Sequence, residues 1–286
     1  MQRTMGVLGP RGTHSEAAAI YLNERLTEAC QLRMYADIFE CLQSVEDGDV
    51  DTALVPVENS LEGAINITLD TLAHSDQLEV ELELIWPVHN QLMARCQSQE
   101  IRRIYSHPQP ISQCRSYLQK HYPEAEIIKV SSTARAAELV AAEPESSGWA
   151  AICTSRAGQL TGLTAVATEI QDNMANCTRF FLVRRRGFGP QVLPQDKTLV
   201  ICQIDGQRAG VLYAVIREFA ERGINMTRIE SRPARTKLGA YIFFFDLECL
   251  PDTQLQQEAI RSVAKKSIWL KELGAFPVLT TVEPRY

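Results

Sequence analysis

No two cysteines in this chain share the CxxC spacing that holds zinc, and no histidines stand at ligand spacing. The eight cysteines (Cys30, Cys41, Cys96, Cys114, Cys153, Cys177, Cys202 and Cys249) are scattered singly, and there are only five histidines. A metal site is therefore not expected, and the thiols read as reduced, small apolar side chains. Basic residues are not in excess: the net charge of −6 lacks the positive stripe of a nucleic-acid surface, though a local cationic site for a small anion remains allowed. No run approaches the roughly 18 apolar residues of a membrane helix. Glycine-rich phosphate loops are missing too. Gly9-Pro10-Arg11-Gly12 has neither the lysine of a P-loop nor the third glycine of a dinucleotide turn, which argues against ATP or NAD. The first residues run straight into a strand pattern instead of a signal segment, so a cytoplasmic protein is expected.

What is present is enough chain for about two domains, 286 residues with 45% apolar and 22% charged side chains. Short apolar runs alternate with helical patterns from Thr4 onward. Thr13 and Glu16 hold capping-box spacing, Asp37 precedes a second helix that stops at Gly48, and residues 52–57 form an apolar run of the doubly buried kind. Residues 78–94 alternate well enough for one or two strands, and Pro110 suits the first turn of a helix. This βαβα order predicts an α/β fold with parallel sheet covered by helices, where ligands sit beyond the carboxyl ends of the strands.

Five loops at those ends carry neutral donors: Thr13 and Ser15, Asn59 and Ser60, Ser106 and Gln109, Ser131 to Thr133, and Thr154 and Ser155. Each alone reads first as a helix cap. Together, beside helix N-termini whose free N–H groups favour anions, they predict a cleft for a small di- or tricarboxylate. Asn176-Cys177-Thr178-Arg179 then places an amide, a hydroxyl and a guanidinium before the apolar strand of residues 180–183. A strand start holds side chains rigidly at a cleft rim, so Thr178 is the expected chemical centre. Cys177 lacks the neighbouring base that a nucleophilic thiol needs.

Residues 184–190 and 193–196 mix Arg, Gly and Pro and read as a linker. Beyond it the pattern is βαββαβ, a ferredoxin-like order suited to a regulatory or pairing module. The division expected is 1–190 and 191–286.

The segments GPRGTHSE (9–16), VPVENSLEG (55–63), YSHPQPISQC (105–114), NCTRF (176–180) and IESRP (229–233) resemble prephenate dehydratase, in the order and spacing of its monofunctional bacterial form. The resemblance runs from about residue 4 to the C-terminus, with no chorismate mutase segment ahead of it. It implies a two-lobed, type II periplasmic-binding-like catalytic domain followed by an ACT domain. It implies a hydro-lyase that converts prephenate to phenylpyruvate in phenylalanine biosynthesis, using no cofactor, since aromatisation drives the reaction. Thr178 would assist the departing hydroxyl. Asn59, Ser106 and Gln113 would position substrate, with Thr13 and Ser60 in the same cleft. Arg179 would serve either a substrate carboxylate or the fold of its lobe. His14 stands where the family usually carries an aromatic and Ser131 where some members carry Glu, which leaves Glu58 as the nearest acid. In the ACT domain, Gly210-Val211-Leu212 (an imperfect form of the usual GALL) and Glu230-Ser231-Arg232-Pro233 would bind L-phenylalanine at the interface of a homodimer or homotetramer. Arogenate dehydratase, or a non-catalytic anion or amino-acid sensor, are the competing readings.

Overall fold

A computed structural model describes residues 2–187, 194–236, 239–250 and 253–281. The expected linker residues Phe188, Gly189, Pro190 and Leu193, the boundary between 190 and 191, and the end of the last expected strand at Val282 lie outside the described residues.

The chain first builds β1 (Thr4–Leu8), α1 (His14–Asn23), β2 (Gln31–Tyr35), α2 (Ile38–Glu46), β3 (Thr52–Asn59), the two-residue β4 (Gly63–Ala64), α3 (Asn66–His74) and β5 (Leu78–Pro87). It then crosses to a second lobe. There it forms β6 (Gln91–Ala94), β7 (Arg103–Ser106), α4 (Pro108–Gln113), α5 (Arg115–His121), β8 (Glu126–Lys129), α6 (Thr133–Ala142), β9 (Trp149–Cys153), α7 (Ser155–Thr161) and β10 (Thr164–Ala167). The chain returns through β11 (Cys177–Arg185), which inserts between β5 and β3, antiparallel to both. The 78–94 run is thus two strands in two sheets, and the break between them is the first interlobe crossing. Helix α4 starts at Pro108, not Pro110, because the His107 ring already caps the Gln109 N–H at 3.3 Å.

A third sheet follows: β12 (Lys197–Gln203), α8 (Val211–Ala220), β13 (Met226–Pro233), β14 (Tyr241–Glu248), α9 (Thr253–Ala264) and β15 (Trp269–Phe276). Its order, β13-β14-β12-β15, is fully antiparallel and ferredoxin-like. Gly210 takes a left-handed φ of 80°, and α8 starts directly behind it. Val211, Val215 and Phe219 recur every fourth residue and turn that helix onto the sheet. A further strand, β16 (Val278–Thr280), leaves the small domain and pairs in parallel with β5, which ties this segment into the sheet of the first lobe.

The first sheet reads β16-β5-β11-β3-β1-β2 and the second β10-β6-β9-β7-β8. Strand β11 shows how the first lobe is sealed. Phe180 and Leu182 enter the core beneath α1, while Phe181 and Val183 face Leu199, Ile201, Phe244 and Phe276 of the small domain. Phe181 and Phe276 pack with ring centres 5.5 Å apart. Burying such a side chain is worth roughly 1.5–3 kcal/mol, so this seam is core and not a loose domain contact.

Candidate active site

The two lobes enclose a cleft of about 520 Å³ lined by Thr13, His14, Asn59, Asn90, Gln113, Ser131 to Thr133 and Thr178, with Phe180 at its floor. Its centre is built by register. β11 pairs with β3 so that Thr178 lies opposite Asn59. The Asn59 Nδ2 donates to Thr178 Oγ1 at 3.1 Å, to Asn176 Oδ1 at 2.9 Å and to the Cys177 carbonyl at 3.2 Å. Its Oδ1 accepts the Leu61 and Glu62 N–H groups at 3.0 and 3.2 Å. These bonds leave one orientation for the amide. Because the threonine oxygen is an acceptor for Asn59, its own hydrogen is free to donate outward.

Around this pair sit two helix N-termini. Thr13 caps α1 through the Glu16 N–H at 3.4 Å, and Ser132 caps α6 through the Arg135 N–H at 3.0 Å. Both helices run ten residues, so their dipoles favour an anion between the lobes. The acidic side chain of the lining is Glu62, which is exposed. No group of three or more His, Cys, Asp or Glu fit to hold a metal occurs among the described residues. His14 lines the cleft as a neutral imidazole: burial and the nearby His89 lower its pKa to about 4, against a contrary pull from Asn90.

Thr13, Asn59, Gln113 and Thr178 come together as the sequence suggested; other expected ligands do not. Ser106 is fully buried, its Oγ donating to the Ile152 carbonyl at 2.7 Å, where it ties β7 to β9. Ser60 turns to the backbone of the return crossing, bonding the Ala175 carbonyl and the Cys177 N–H. The fifth loop is tied across the lobes to the first, since Thr154 Oγ1 donates to the Gly12 carbonyl at 2.7 Å, and neither Thr154 nor Ser155 lines the cleft. Arg179 points the other way from Thr178, as strand alternation requires. Its guanidinium meets Glu58 at 2.8 Å, Glu83 at 2.6 Å and Asp246 at 2.5 Å. It serves the fold, not a substrate carboxylate. Glu58 shares that side and is also held by Arg228 at 2.9 Å, so it is no acid for the cleft.

Sequence reasoning missed Asn90, which is fully buried yet lines the cleft at the interlobe crossing. It hid inside an alternating strand pattern, and only the break after Pro87 exposes it.

In the small domain, Glu230 pairs with Arg228 at 3.3 Å. Arg232 leaves the domain altogether and grips Asp70 of α3 at 3.1 Å. Ser231 and Pro233 are exposed on β13, an edge strand, and Val211 and Leu212 are half-buried behind Gly210.

A two-lobed cleft beside two helix N-termini, with a fixed amide–hydroxyl pair and a ferredoxin-like domain behind it, is the architecture of an enzyme for a small anionic substrate. The family model for prephenate dehydratase matches residues 5–187, and that for the ACT domain matches residues 200–265. A prephenate dehydratase of Lactococcus lactis subsp. cremoris (strain MG1363) is 36% identical over 279 residues, 96% of this chain and 98% of that protein. The crystal structure of prephenate dehydratase in complex with L-Phe from Arthrobacter aurescens superposes with a TM-score of 0.84 at 33% identity, covering 96% of this chain and 90% of that one. GqqA, described as a novel type of quorum quenching acylase, superposes with a TM-score of 0.80 at 25% identity, covering 96% and 98%. The chain belongs to the prephenate dehydratase family, with an ACT domain at its C-terminal side.

Proposed function

We propose that this protein is a phenylalanine-regulated prephenate dehydratase, with a catalytic part in residues 1–190 and a regulatory part in 191–286. The observation that carries the reading is the Asn59–Thr178 bond of 3.1 Å at the lip of a cleft lined by neutral donors. Prephenate has two carboxylates and a ring hydroxyl. Loss of the ring carboxylate as carbon dioxide sends an electron pair through the ring. The C–O bond then breaks, and the hydroxyl takes one proton to leave as water. Hydroxide leaves poorly, and a placed donor at that oxygen is worth about 10² to 10⁴ in rate. Thr178 is that donor in this reading, polarised by the Asn59 amide behind it. An acylase reading finds less support at this site, because among the described residues no side-chain base bonds Thr178 Oγ1, which accepts from the Asn59 amide.

Phenylalanine would bind where Gly210 opens the α8 N-terminus and Glu230 to Pro233 form the last half of β13, with a second copy against that edge strand to complete a homodimer or homotetramer. Ile229, 46% exposed on β13, and Tyr213, 67% exposed on α8, give such a copy apolar surface to cover. Eight cysteines without a disulfide, most of them buried, fit a reducing cytoplasm. No described helix is long and apolar enough to cross a membrane.

The test is incubation with prephenate, with and without L-phenylalanine, read as phenylpyruvate released. Turnover that phenylalanine suppresses is expected. Tight binding without product would instead favour a sensor.

A further inference from the structure

Three buried polar atoms at the cleft wall make no hydrogen bond of ordinary geometry among the described residues: His14 Nε2 and Asn90 Oδ1, whose side chains still interact with each other, and Gln113 Nε2. They come from separate parts of the fold. His14 opens α1 in the first lobe, Gln113 ends α4 in the second, and Asn90 sits on the crossing between them. An unmet buried donor or acceptor costs about 1–3 kcal/mol, and native proteins keep few of them. Three around one cleft mark a place built to meet something else.

The rest of each group is already committed. The Trp86 indole N–H donates to His14 Nδ1 at 3.4 Å, which puts the imidazole proton on Nε2. The Asn90 Nδ2 donates to Gln113 Oε1 at 3.3 Å, which fixes both amides and leaves an acceptor on Asn90 and a donor on Gln113. The Asn90 backbone is held on both sides, its N–H on Gln171 Oε1 at 2.9 Å and its carbonyl on the Ile170 N–H at 3.0 Å. None of these side chains is free to change role without breaking a bond across the hinge.

We propose that His14, Asn90 and Gln113 form a neutral subsite that receives an oxygen-bearing end of the substrate and rejects an ammonium. This rests on the prephenate dehydratase reading above. Two N–H donors suit the keto oxygen, the group by which prephenate differs from its amino counterpart, the carboxylates being common to both. An ammonium would bring its own donors against them and find one amide oxygen, and the lining holds a single carboxylate, the exposed Glu62. A site built of unpaired donors discriminates strongly against a ligand that cannot use them. The keto acid prephenate is therefore accepted over its amino counterpart, arogenate.

The test compares kcat/KM for prephenate and arogenate in the wild type and in Asn90→Asp, His14→Phe and His14→Gln. Asn90→Asp places an anion in the subsite and should lower the prephenate-to-arogenate ratio by about tenfold or more. His14→Phe should raise KM for prephenate about fivefold with kcat little changed, and His14→Gln, which restores a neutral donor, should recover most of it. Thermal unfolding and phenylalanine binding, both remote from the cleft, verify that each variant is folded. An active wild type whose ratio is indifferent to Asn90→Asp, with His14→Phe and His14→Gln alike, overturns the subsite alone. A wild type active on neither substrate overturns the functional reading and the subsite with it.

Discussion

Arg179 on the catalytic strand and Asp246 on an inner strand of the ACT sheet form an ion pair of 2.5 Å across the seam between the domains. Thr178, the next residue back along β11, faces the cleft. The same short piece of strand thus presents its hydroxyl to the cleft and its guanidinium to the ACT domain.

That guanidinium holds Glu58, Glu83 and Asp246 together. Removing a buried charge whose partners stay behind costs about 3–5 kcal/mol. Arg179→Met should lose that much in urea unfolding, whereas Asp246→Asn should lose less, because Arg179 keeps two carboxylates. Equal and small losses for both would show that the cluster is not holding the seam.

A second bridge is available to regulation. Arg232, within the expected phenylalanine motif, binds Asp70 and Asn66 of α3, and Arg235 joins it on Asp70. Asp70→Asn should leave the rate without effector near wild type. It should raise the phenylalanine concentration for half-inhibition about fivefold or more, the lower end of ordinary coupling energies. An unchanged inhibition curve would remove Asp70 from the path between the domains.

His14 gives a pH signature. Its pKa is lowered from 6.5 to about 4, mainly by burial. Over that window the unfolded chain binds more protons than the folded one, so stability falls as pH drops from about 6.5 toward 4. His14→Gln should remove this part of the decline. Melting curves that fall in parallel for both proteins between those pH values would contradict a buried neutral imidazole.

The order of elements was legible because each is locally marked. Thr13, Asp37 and Ser132 cap their helices through their own side chains, and the apolar run of β3 is buried on both faces. Thr178 and Asn59 were legible as motif residues, although the bond that joins them spans 119 positions and is made by the register of β11 on β3. Ser106 and Arg179 were not, since a serine at a strand end reads the same whether it faces solvent or a neighbouring carbonyl. Arg179's three partners lie 67 to 121 positions away in the chain. Asn90 needed the lobe crossing, which no local pattern announces. The pairing of β16 with β5 depends on a domain docking that periodicity does not encode.

Cys177 tests which group at this strand start does the chemistry. Its backbone N–H accepts no substitute role, being bonded to Ser60 Oγ at 3.0 Å, and its side chain is not among the cleft's lining. Cys177→Ser should keep kcat within about threefold of wild type, as expected where no thiolate takes part. A loss of two decades or more would make the thiol the active group instead.

The most direct measurement is the single-turnover rate of Thr178→Ala on prephenate, read as phenylpyruvate, beside its thermal unfolding. Loss of the donor to the departing oxygen should slow the reaction at least about a hundredfold, with substrate binding and melting temperature close to wild type. A variant that is folded, binds prephenate and turns it over at nearly the normal rate would show that Thr178 does not release the hydroxyl.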